Sequence, residues 1–147
     1  MRAYVYDTET KEDQRAPHDT GLEKSEADLA EFGVLYWKVK GDGLDRTEEI
    51  ARKRGYNHRQ TIELSPDAFG SVYEHKLQEF FTEQDMEGEE ARYILDGSGY
   101  FDVRDHDDTW IRIALSQGDL LILPSGIHYR STTDEKDFVK AMRLNTI

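Results

Sequence analysis

The side chains of this chain that could bind metals or move protons are few in kind. Histidines stand at positions 18, 58, 75, 106 and 128, and cysteine is absent. Without thiols there are no disulfides and no thiolate metal sites. The acidic run Glu87, Glu89, Glu90 could attract a cation loosely, but its spacing fits no calcium loop. Ser71, Ser98 and Ser125 lack the histidine and acid constellation that nucleophilic hydrolysis needs. Gly97-Ser98-Gly99 is read as a hairpin turn; a strand pattern follows it, whereas a phosphate loop leads into a helix. Lys and Arg number 19 against 31 Asp and Glu, a formal net charge of −12. The longest basic cluster, Arg52 to Arg54 with Arg59 nearby, lies beside Glu48 and Glu49. Nucleic-acid binding is therefore not expected, since it needs a basic patch to displace phosphate counterions.

The elements that would position such groups change character along the chain. The 147 residues, 37% of them hydrophobic, suit one domain with one core. Leu22 to Phe32 has apolar residues near helical spacing and stops at Gly33. Val34 to Lys40 reads as a strand, and Asp45 with Glu48 could cap a helix running to Arg54. Leu64 to Phe81 reads as a further helix starting near Ser65-Pro66. From Glu83 the period becomes two. Six short strands are expected: Ala91–Leu95, Tyr100–Asp105, Trp110–Leu115, Asp119–Pro124, Ile127–Thr132 and Asp137–Leu144. The expected class is mainly β (α+β), an antiparallel β-barrel preceded by a few short helices. The division falls between a helical and loop part, 1–82, and a barrel core, 83–144, within a single domain spanning 1–147.

At this level the sequence resembles a known family. RYILDGSGYFDVRD (Arg92 to Asp105), WIRI (Trp110 to Ile113), GDLLILPSGI (Gly118 to Ile127) and KAMRL (Lys140 to Leu144) are similar to the central blocks of acireductone dioxygenases. GVLYWK (Gly33 to Lys38) and the segment around Arg15 to His18 match the same family. The resemblance implies a cupin barrel with Fe(II) or Ni(II) in its mouth, acting in methionine salvage. The family reacts an acireductone with O2: iron gives a 2-keto acid and formate, nickel gives carbon monoxide.

The family draws its ligands from a His-x-His-x-x-x-Glu run and one later His. Counting back from Arg92, the resemblance places the first two ligand positions at Gln84 and Met86 and the carboxylate at Glu90. The later His position is held by Tyr129, so only Glu90 of the four is retained. A neutral amide, a soft thioether and a phenol with a pKa of about 10 are poor partners for Fe(II) or Ni(II). His128 is a substitute ligand only if a bulge reverses strand parity, because adjacent strand residues face opposite sides. Glu83 and Asp85 have the wrong parity for the same reason. His75 and His106 fall on a helix and a hairpin tip, and with His18 and His58 they are read as surface histidines. In a regular strand Gln84, Met86, Glu90 and Arg92 share one face. Arg92 matches a substrate-side position of the family, and without a metal it is expected to pair with Glu90.

The resemblance thus implies an inactive member of the family, with no metal or other cofactor expected. The alternative is a residual acireductone dioxygenase, giving 2-keto-4-methylthiobutyrate and formate through a rearranged Fe(II)/Ni(II) site. A third reading is a small-molecule binder whose cavity is lined by Gln84, Met86 and Tyr129. The aromatic-rich segment that follows KAMRL in the family is expected to be absent. No membrane partner is expected, and the chain is expected to be a cytoplasmic monomer, with the nucleus as a second compartment. A protein partner is left open.

Overall fold

The computed structural model describes residues 1–39 and 43–147. Among the described residues ten strands form one curled antiparallel sheet: β1 Arg2–Tyr6, β2 Asp19–Lys24, β3 Leu35–Lys38, β4 His58–Leu64, β5 Gln84–Asp85, β6 Glu90–Arg104, β7 Trp110–Ser116, β8 Asp119–Leu123, β9 His128–Thr133 and β10 Val139–Asn145. Four α-helices intervene among the same residues: α1 Glu26–Glu31, α2 Gly43–Arg54, α3 Pro66–Phe69 and α4 Tyr73–Phe80. None of the helices among the described residues is long and apolar enough to cross a membrane.

β6 organises the sheet. Its first half pairs with β8 (Glu90↔Leu123) and β10 (Arg92↔Arg143), its second half with β7 (Asp102↔Arg112) and β9 (Asp102↔Arg130). Such a strand can serve both halves of a barrel only if it bends between them. The bend falls at Gly97, whose φ is 74°, next to a slip in the β10 pairing that skips Leu95, between Lys140 opposite Asp96 and Ala141 opposite Ile94. The expected hairpin turn at Gly97-Ser98-Gly99 is therefore corrected to a continuous strand. A Cβ on Gly97 would lie 2.3 Å from the Phe138 carbonyl oxygen, and one on Gly99 2.7 Å from that of Thr132. Neighbouring backbone occupies the space that a turn would leave open.

The part preceding residue 83 holds more strand than its sequence pattern suggests. β1, β2, β3 and β4 all lie there, and β1 and β4 extend the sheet beside β7 and β10. The helix expected over Leu22 to Phe32 begins only at Glu26, because Ser25 and Asp28 form a reciprocal capping box. Leu22 before it belongs to β2 and is exposed. The strand expected over Val34 to Lys40 is observed as Leu35–Lys38; Lys40 lies outside the described residues. The helix expected over Leu64 to Phe81 does begin at Pro66 under a Ser65 cap, but breaks at Gly70 into a single 3-10 turn before α4.

The apolar side chains gather in two clusters. Val103, Ile111, Ile113, Leu121 and Leu123 centre the first, with Met86 and Phe101 within it; Leu120, Ile122, Tyr93 and Leu144 join Ile50 and Ala51 of α2 in the second. Adjacent residues of β8 thus feed opposite clusters, the signature of a strand buried on both faces.

Candidate functional site

The site is built where β5, β6, β9 and β10 meet. β6 presents Glu90 and Arg92 two residues apart, hence on one face. On β10 the register puts Arg143 directly opposite Arg92. Two guanidiniums facing each other across a ladder repel unless an anion lies between them. Glu90 supplies it: Arg143 donates from Nε and Nη2 to the two carboxylate oxygens at 2.7 Å each, and Arg92 donates from Nη1 at 2.6 Å. Asn145 Nδ2 adds a longer contact at 3.5 Å.

The Glu90 side chain is 8% exposed and that of Arg92 12%, while Arg143 keeps 35%. Burial alone would raise the Glu90 pKa; the Arg143 hydrogen bonds and the Arg92 charge outweigh it and hold the carboxyl below its usual range. Burial lowers the Arg92 pKa despite the neighbouring carboxylate, whereas the more exposed Arg143 is raised by its hydrogen bonds to Glu90. With two cations and one anion, the trio carries one net positive charge.

Above the trio, the short ladder of β5 with β9 sets Gln84 opposite Tyr129 and Asp85 opposite His128. Tyr129 stacks on Phe101 at 5.4 Å, and its hydroxyl donates to Gln84 Oε1 at 3.4 Å. His128 projects to the other side of β9 and meets Asp85 Oδ1 at 2.6 Å and Glu83 Oε2 at 3.3 Å. Gln84, Arg92, Phe101, Tyr129 and Arg143 line a cavity of about 180 Å3 whose remaining wall is largely aliphatic, including Ile94, Leu115 and Ala141. Met86, expected to line this cavity with Gln84 and Tyr129, instead packs in the core at 2% exposure. Its backbone accounts for this. Met86 N donates to the Ile127 carbonyl and Met86 O accepts from Gly126 N, so the residue closes over the β8–β9 turn.

The pattern of the ARD/ARD' family matches residues 2–146 of this sequence. The chain belongs to the acireductone dioxygenase family. A protein of Tuber melanosporum named acireductone dioxygenase is 52% identical over 144 residues, covering 98% of this chain and 82% of its relative. One of Aspergillus fumigatus with the same name is 51% identical over 144 residues, covering 98% and 80%. Among solved structures, the acireductone dioxygenase from Bacillus anthracis, with a cadmium ion in its active center, superposes with a TM-score of 0.78. It covers 99% of this chain and 92% of its own at 20% identity, a likeness of fold.

By the resemblance, the metal-ligand positions expected from the family fall on Gln84, Met86, Glu90 and Tyr129, and the donors present there do not fit a divalent metal. The Glu90 carboxylate is already saturated by guanidiniums, Gln84 and Tyr129 hydrogen-bond to each other, and the Met86 thioether is enclosed by apolar side chains. Hard and borderline cations seek oxygen anions and imidazole, neither of which is free here. Among the described residues no three His, Cys, Asp or Glu side chains gather in a way that could hold a metal ion.

Two groups of polar residues escape a sequence reading centred on ligands. Arg143 is one: it sits inside the family block KAMRL, and only its register opposite Arg92 gives it a role. The other surrounds Asp102, which accepts from Arg112 Nε and Nη2 at 2.8 and 3.0 Å and from Arg130 Nε at 2.9 Å. Arg112 is fully buried, and Tyr6, Phe81 and Tyr100 face its guanidinium. His18, read as a surface histidine, belongs to the edge of this group at 4% exposure. It stacks on Tyr6 at 4.7 Å, and its Nε2 lies 2.7 Å from the Asp13 carbonyl oxygen. Its position between β1 and the loop before β2 gave no periodic signal of burial. His58, His75 and His106 are exposed.

Proposed function

We propose that this chain is an acireductone dioxygenase family member without metal-dependent dioxygenase activity, its barrel kept as a binding scaffold. The observation carrying this reading is the state of Glu90. Of the four family ligand positions it alone offers a hard anionic donor, and that donor is spent on Arg92 and Arg143. Recruiting it to a metal would strand two guanidiniums in a half-buried site, a cost of several kcal/mol per unpaired charge. His128, the one imidazole in the neighbourhood, faces away from the cavity and is engaged by Asp85.

The test is metal content by elemental analysis after incubation with Fe(II), Ni(II) or Co(II) and desalting, together with oxygen consumption on acireductone. Less than about a tenth of an equivalent and no metal-dependent oxygen uptake are expected, since affinity follows ligand type. Gln84→His and Tyr129→His combined form the positive control, since both positions line the cavity, and this double variant should retain substantially more metal than the parent. Close to one equivalent in the parent chain, with oxygen uptake, would instead establish a residual acireductone dioxygenase that forms 2-keto-4-methylthiobutyrate and formate at a rearranged site.

A further inference from the structure

The cavity holds an asymmetry between its two guanidiniums. Arg143 offers the Nε–Nη2 edge to Glu90, the edge that binds a carboxylate through two parallel hydrogen bonds. Arg92 touches Glu90 through Nη1 alone, with a second contact from that atom to the Ala91 carbonyl at 3.4 Å. Its own Nε and Nη2 have no acceptor among the described residues. Arg92 nonetheless lines the cavity, is nearly buried, and packs 5.7 Å from the centre of the Phe101 ring. The Glu90 carboxylate that neutralises Arg92 is shared with Arg143, and the Nε–Nη2 edge of Arg92, without a protein acceptor, is left for a carboxylate in the cavity that Arg92 lines.

From this we infer that the cavity is a metal-free receptor for a small monocarboxylate with an apolar body, bound by the Nε–Nη2 edge of Arg92. The inference rests on the reading that no metal occupies the site. Charge and shape select the ligand together. The single positive charge left by Glu90, Arg92 and Arg143 is balanced by one carboxylate and overbalanced by a dianion. Phe101, Tyr129, Ile94, Leu115 and Ala141 offer the rest of the ligand a wall with few polar partners. Cavities of about 150 Å3 accept a benzene-sized guest, so one of about 180 Å3 suits an aromatic ring or short alkyl chain bearing one carboxylate. A neutral molecule of the same shape would bury the same surface and leave the Nε–Nη2 edge of Arg92 without an anionic acceptor.

The experiment is titration calorimetry on the full chain in chelator, using benzoate and hexanoate, each against its amide. The carboxylates are expected to bind at least about tenfold more tightly than the amides, as a charge-assisted bidentate pair predicts. Arg92→Lys keeps a cation beside Glu90 but removes the free edge, and should reduce the carboxylates to the level of the amides. Ala141→Leu fills the aliphatic wall and should abolish binding of all four while leaving the melting temperature unchanged or higher. Equal binding of carboxylate and amide would overturn the inference, as would full carboxylate affinity in a folded Arg92→Lys. Absence of binding with and without added metal would overturn it and leave the metal-free reading standing. Binding that appears only after Fe(II) or Ni(II) is added would overturn that reading, and the inference with it.

Discussion

Glu90 is positioned to be the most consequential single residue of the site, because its carboxylate reconciles two guanidiniums that the β6–β10 register forces together. Removing its charge while keeping its shape isolates that role. Glu90→Gln leaves Arg92 and Arg143 facing each other with a neutral amide between them, and should destabilise the protein by about 3 kcal/mol in denaturant unfolding at pH 7. The pH profile carries the sign. The folded carboxyl lies below its usual range, so its stabilisation is complete above the unfolded value of about 4.3 and fades as the pH falls through the lower folded value. Native protein should therefore lose stability on acidification through this window, and Glu90→Gln should show a flatter profile there. Equal slopes for the two proteins would mean that the arginines do not lower the Glu90 pKa in the folded state.

At the scale of elements, β6 does what two strands and a turn were expected to do. It runs unbroken for 15 residues and passes from the β8–β10 side to the β7–β9 side at Gly97. Gly97→Ala should cost more than about 2 kcal/mol, combining left-handed backbone strain with a methyl driven into the Phe138 carbonyl. Urea unfolding would measure it, and a near-neutral result would show that β10 can shift to make room. The error of the sequence reading here is instructive. Glycine pairs mark both turns and bends, and only the pairing partners distinguish them. Period two was visible in β7, β8, β9 and β10, whose alternation or continuous apolarity comes from burial inside the barrel. It was faint in β1, β2 and β4: these strands lie at or near the sheet margins, where β2 and β4 are mostly exposed and carry Thr20, Glu23, His58 and Arg59 without penalty. Parity along β9 gave the opposite orientations of His128 and Tyr129 from sequence alone, whereas Met86 left the cavity because its backbone follows the Ile127 turn. Arg143 and Asp102 owe their roles to partners on other strands, between 10 and 53 residues away, beyond the reach of any local pattern.

Across the whole molecule, two carboxylates on β6 each collect two arginines: Glu90 near its start with Arg92 and Arg143, and Asp102 near its end with Arg112 and Arg130. An acidic protein with a net charge of −12 has thus drawn four of its cations inward, to places where burial makes them specific. The second group also fastens the segment before β2, since Arg112 Nη1 donates to the Gln14 and Ala16 carbonyls at 3.0 and 2.7 Å. The groups have no partner in common, and the bend at Gly97 separates their halves of β6. Independence follows: sites with no shared partners and well over 10 Å of strand between them combine additively to within about 0.5 kcal/mol. Arg143→Gln and Arg130→Gln each leave their carboxylate one arginine, so the double variant should still fold. Its loss of stability in denaturant should equal the two single losses added, with one cooperative transition throughout. A coupling above about 1 kcal/mol would show that β6 transmits strain across its bend; occupancy of the ligand cavity at one end would then alter the grip on the Gln14–Ala16 segment at the other.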